Sequence, residues 1–137
     1  MKKFLMRVLT VALVFTFIFQ TAVFADGISL FNNNTADYYT QFGISSNGEA
    51  NVTVYYDGYP NITTGATITV KIEKRNLLVF WKDVVEETYS VSGVSYTNTY
   101  TYQLDKTGTY RCTVEYVISG TGGADDVITF EDTKTYE

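Results

Sequence analysis

Ala66-Thr67-Ile68-Thr69-Val70-Lys71-Ile72-Glu73 alternates without a break, apolar at every even position and polar at every odd one. Side chains of a strand point to opposite faces in turn, whereas a helix gathers its apolar positions at three- and four-residue spacing. The stretch therefore reads as a β-strand with one dry and one wet face. The same period extends in both directions. Upstream, Ala50, Val52, Val54 and Tyr56 oppose Asn51, Thr53 and Tyr55, and before them Tyr38, Thr40, Phe42 and Ile44 share a face. Downstream, Val94, Tyr96, Tyr100, Tyr102 and Leu104 form one set, and Tyr110, Cys112, Val114, Tyr116 and Ile118 another. A last run spans residues 127–136, with Ile128 and Phe130 as the inward pair.

The run beginning Leu77-Leu78-Val79-Phe80-Trp81 is apolar on both faces. It is expected to be a core strand covered on both sides with Trp81 capping the layers, in preference to an exposed contact patch. Turn residues separate the runs at Asp57-Gly58, Gly65, Asn76, Ser92-Gly93, Lys106 to Gly108 and Gly120 to Gly123. Seven short strands, each with turn signals at its ends and no room for crossover helices, predict an antiparallel sandwich. From Asp26 onward there are 18 Thr and 12 Tyr, residue types suited to a pleated, half-buried surface.

The amino terminus reads as an address. Lys2, Lys3 and Arg7 precede an apolar run over residues 8–19, and Val23 and Ala25 stand at the small-residue positions of a cleavage site. Residues 1–25 are thus expected to be a helical signal peptide, removed before Asp26, in preference to an uncleaved anchor. Residues 26–35, with Asn32-Asn33-Asn34, are expected to be a flexible lead-in to a domain over residues 36–137. The expected product is secreted and extracellular, and its membrane contact is confined to the leader before cleavage.

Charge and composition exclude several functions. The first 25 residues hold three of the ten bases and none of the fifteen acids, so the remaining 112 carry a formal charge of −8. A chain so acidic lacks the cationic footprint that neutralises phosphates, and no nucleic-acid partner is expected. The sequence has no His, the commonest general base and metal ligand. Its one Cys can make neither an internal disulfide nor a Cys-based zinc site, and the inward phase of Cys112 marks it as an inert core residue. The neighbouring acids Glu86-Glu87, Asp125-Asp126 and Glu131-Asp132 do not make a glycosidase pair, because neighbours on a strand face opposite ways. Asp125 and Asp126 are expected as solvated loop acids rather than a Ca²⁺ site. No cofactor, metal or catalytic residue is expected, and the chain is not expected to be an enzyme.

Leu104-Asp105-Lys106-Thr107-Gly108-Thr109-Tyr110-Arg111-Cys112 places Leu six residues before Tyr, Gly two before it and Cys two after it. This resembles the tyrosine corner of immunoglobulin-like domains, whose Tyr hydroxyl bonds back to the backbone at the turn before the sixth strand. Fibronectin type III modules share the Leu-to-Tyr spacing. Lys106 stands where the antibody pattern has Asp, and no second Cys exists to pair with Cys112, so the resemblance implies a sandwich without an internal disulfide. Val70-x-Ile72-x-Lys74, Trp81-Lys82-Asp83-Val84 and Gly108-Thr109-Tyr110-Arg111 are also similar to segments of small secreted Gram-positive bacterial proteins of unknown function. The resemblance implies that loops 57–65, 90–93 and 119–126 emerge at one end. Tyr59, Asn61, Asp125 and Asp126 on these loops are the candidate ligand-binding residues, for a protein or glycan at the cell surface. The alternative is an assembly subunit pairing through the edge strand 127–136.

Overall fold

The alternating runs become seven strands: β1 (Thr35–Ile44), β2 (Glu49–Gly58), β3 (Thr63–Asn76), β4 (Phe80–Ser92), β5 (Ser95–Gln103), β6 (Gly108–Gly120) and β7 (Asp126–Tyr136). They are seen in a computed structural model that describes residues 32–137. The expected signal peptide and residues 26–31 of the lead-in lie outside the described residues. One sheet has the order β1-β2-β5 and the other β4-β3-β6-β7, and every neighbouring pair is antiparallel. No helix occurs among the described residues. The chain is an all-β, sandwich-like fold of two antiparallel sheets.

The even-numbered faces meet in the middle. Ala50, Val52, Val54 and Tyr56 of β2 are fully buried, as are Ile68, Val70 and Ile72 of β3 and Cys112, Val114, Tyr116 and Ile118 of β6. The central strands β2, β3 and β6 thus supply most of the core, while Phe42 of β1 and Leu104, just after β5, close its rim. Cys112 is unbridged, and burial, with the Asp132 carboxylate adding to it, pushes its thiol up to about 12. The Tyr110 hydroxyl donates to the Lys106 carbonyl at 2.5 Å and so fastens the turn that enters β6.

Tyrosines fill the space between strands β4 and β5, which lie in different sheets. The rings of Tyr89 and Tyr100 stack at 3.9 Å between centroids, and the Tyr89 and Tyr102 hydroxyls share a hydrogen bond of 2.8 Å. Tyr96 and Tyr100 are joined in the same way at 3.1 Å. A phenol suits this position because its ring covers the core while its hydroxyl finds a partner at the margin.

The apolar run after Asn76 departs from expectation. Leu77, Leu78 and Val79 form the turn between β3 and β4, and Asn76 pairs with Phe80 across it. Leu77, Leu78, Val79 and Phe80 are 77, 89, 73 and 64% exposed, so this is a hairpin tip and not a core strand. Trp81 does not cap the layers. It lies half-buried under the guanidinium groups of Arg111 and Arg75, 4.4 and 5.1 Å from its ring centroid. Hydropathy misplaced the run because the turn that begins at Asn76 continues through residues of the wrong chemistry for a turn.

Candidate functional site

The loops carrying the candidate residues come together at one pole. Gly58 N–H donates to the Val94 carbonyl at 2.8 Å, Gly93 N–H to Thr64 at 2.9 Å, and Thr121 N–H to Ile62 at 2.9 Å. These bonds lace the β2–β3 loop to the β4–β5 turn on one side and to the β6–β7 loop on the other. Tyr59 opens a tight turn whose carbonyl accepts the N–H groups of Ile62 and Thr63, both at 3.0 Å. Asn61 sits in that turn at φ 65°, a left-handed position that Asn tolerates better than most side chains. Tyr59 is 38% exposed, and Asn61 and Asp125 are exposed as well.

Asp126 has a different role from its neighbour. It is only 7% exposed, and its carboxylate accepts the backbone N–H groups of Asn33 and Asn34, both at 2.8 Å, and the Thr35 hydroxyl at 2.9 Å. Asn34 completes the clasp. Its side-chain amide donates to the carbonyls of Ala124 and Ile118 and accepts the N–H of Gly122, while its own carbonyl takes the Thr63 hydroxyl. Every polar group of a fully buried Asn is thereby used. The expectation of a solvated Asp126 is corrected: its oxygens are committed to the start of β1. The expectation of a loose lead-in is corrected from Asn33 onward on the same ground.

The β6–β7 loop is glycine-rich for packing rather than for mobility. A Cβ on Gly122 would lie 2.1 Å from the Asn33 carbonyl oxygen, and one on Gly120 would lie 2.4 Å from that of Ile62. Only glycine admits such close backbone approach. The structure therefore brings Tyr59, Asn61 and Asp125 to one braced surface and withdraws Asp126 into the brace. Sequence reading missed the clasp, because the Asn33, Asn34 and Thr35 groups meet Asp126 across more than 90 residues of chain. Among the described residues, no cluster of three or more His, Cys, Asp or Glu is arranged to hold a metal ion.

No family model matches the chain, and the curated proteins give no match. Among solved structures it is similar to a β-glucosidase from Listeria innocua in complex with isofagomine, at 13% identity over 69% of this chain, with a TM-score of 0.37. It is also similar to a mutant β-glucosidase from Listeria innocua in complex with laminaribiose, at 15% identity over 68% of this chain, with a TM-score of 0.36. The chain spans 16% of the length of either structure.

Proposed function

We propose that the domain is a secreted, non-enzymatic binding module that recognises a protein or glycan at a cell surface through the pole carrying Tyr59, Asn61 and Asp125. The observation that carries this reading is the clasp beneath that pole. A buried carboxylate and a buried carboxamide lock the entry to β1 onto the β6–β7 loop and, through the Thr63 hydroxyl that also accepts the Tyr59 N–H, onto the start of β3, so an exposed phenol ring is offered on backbone that has little freedom left to lose. Pre-ordering lowers the entropic cost of binding, and Tyr supplies apolar area with a polar tip. An immunoglobulin-like or fibronectin type III-like assignment accords with it. The strand order and the Tyr110 to Lys106 bond support that assignment, and sandwiches of this kind carry recognition loops at their ends.

The test is capture of the purified protein on immobilised cell-wall glycans and surface proteins. Tyr59→Ala is expected to weaken capture by about tenfold or more while leaving the circular-dichroism spectrum unchanged. Equal capture of wild type and variant would count against the reading. A second reading, assembly through an edge strand, is favoured by the place of β7 at the margin of its sheet. Sedimentation that grows with protein concentration, and survives Tyr59→Ala, would select it. The charged pair Lys134 and Asp132 on that strand, 2.9 Å apart, is the kind of feature that discourages edge pairing.

A further inference from the structure

At the pole opposite Tyr59, the β3–β4 hairpin holds four large apolar side chains in water, Leu78 the most exposed at 89%. A turn shaped for solubility would take Gly, Asn or Asp here. Instead Leu77 occupies φ 58°, a left-handed conformation that disfavours Leu. The sequence sacrifices both solubility and local stability to keep apolar groups at this tip.

The charges around the tip identify what covers it. Of the seven bases beyond residue 25, six (Lys71, Lys74, Arg75, Lys82, Lys106 and Arg111) lie on the hairpin, on β6 beside it or in the β5–β6 turn. Asp83 holds Lys71 at 3.0 Å and Glu73 holds Arg111 at 2.7 Å. Lys74, Arg75, Lys82 and Lys106 make no ion pair among the described residues. Those four surround a cleft of about 420 Å³ whose walls also include Tyr110 and two acids, Asp105 and the Asp83 already paired with Lys71. A cationic collar on a domain of formal charge −8 is a segregated feature, aimed the same way as the tip.

An apolar point ringed by cations matches the layering of an anionic bilayer, with acyl chains beneath phosphates. The shape favours a bilayer over a protein partner. A convex turn touches little of a rigid surface, whereas fluid lipid closes around it. We propose that the β3–β4 hairpin docks the domain on anionic lipid, with Leu77, Leu78, Val79 and Phe80 entering the acyl boundary and Lys74, Arg75, Lys82 and Lys106 taking headgroup phosphates. The sequence alone confined membrane contact to the leader, and the hairpin adds a second contact, independent of the pole carrying Tyr59.

Trp81 borders the tip and is the one tryptophan of the chain, so its fluorescence reports on this hairpin and not on the leader. The full chain is mixed with phosphatidylglycerol vesicles, with phosphatidylcholine vesicles, or with inorganic phosphate. The expected result is a blue-shifted Trp81 emission, quenched by acyl-brominated lipid, on phosphatidylglycerol and not in the other two. Leu77→Ser with Leu78→Ser, and separately Lys74→Glu with Lys82→Glu, are expected to weaken the response by about tenfold or more, with unchanged circular dichroism. Tyr59→Ala is expected to leave it intact, which separates this inference from the proposed recognition pole. Vesicle binding with unchanged Trp81 emission would overturn the proposal, as would an equal response to phosphatidylcholine or to phosphate. An emission shift that follows protein concentration without vesicles would assign the tip to a second copy and overturn it as well.

Discussion

Asp125 and Asp126 are adjacent, chemically identical and read alike from the sequence, yet they do opposite things. Asp125 meets solvent, while Asp126 collects three donors, two of which, the Asn34 N–H and the Thr35 hydroxyl, would otherwise be buried without partners. Hydrogen bonds to a charged acceptor stabilise more than neutral ones, and orphaned buried donors cost heavily. Asp126→Ala is therefore expected to lower unfolding free energy by about 3 kcal/mol in urea titrations. Asp125→Ala is expected to change it by less than about 0.5 kcal/mol. A comparable loss from both would contradict the clasp. Leu77 makes the converse case. Asn tolerates a left-handed φ at lower cost, so Leu77→Asn is expected to raise stability by about 1 kcal/mol. A stability drop in the same titration would show that the tip side chain contributes packing that its exposure denies.

At the level of elements, legibility followed the contrast between faces. The dry sides of β2, β3 and β6 were readable because the two sheets bury one face of each and leave the other partly wet, so period two runs unbroken through β2 and β6 and from Ala66 to Ile72 of β3, where a register shift buries Glu73 as well. The pairing of β3 with β6 across Val70 and Val114 adds nothing that contradicts that pattern. The β3–β4 hairpin defeated the same reasoning. Leu77, Leu78 and Val79 carry the composition of a core strand in the geometry of a turn, and composition alone assigns them inward. Two of the candidate loops differed in legibility for a related reason. Asn61 and Tyr59 sit in a turn with recognisable turn chemistry, whereas Gly120 and Gly122 read as freedom when their role is close backbone contact. The clasp was invisible because polar side chains carry no periodic signal for a partner so far along the chain.

For the molecule as a whole, the buried thiol and the buried phenols act in one direction. The Cys112 thiol is pushed from 9.0 up to about 12, chiefly by burial, and the phenols of Tyr100 and Tyr102 are raised for the same main reason. A group whose protonated form is favoured by folding stabilises fully below its ordinary pKa, and that stabilisation fades as pH climbs towards the folded value. Stability is therefore expected to hold level up to about pH 9 and then fall, with urea midpoints declining steadily between pH 9 and 11. A flat profile through that range would show that these groups meet water. Cys112→Val should remove part of the slope. The sealed thiol has a further consequence for where the chain can mature. Folding here needs no oxidant and no isomerase, and glutathione or dithiothreitol has no bond to cleave in the finished domain. The same architecture forms in a reducing compartment as in an oxidising one, and covalent dimers must wait until the chain unfolds.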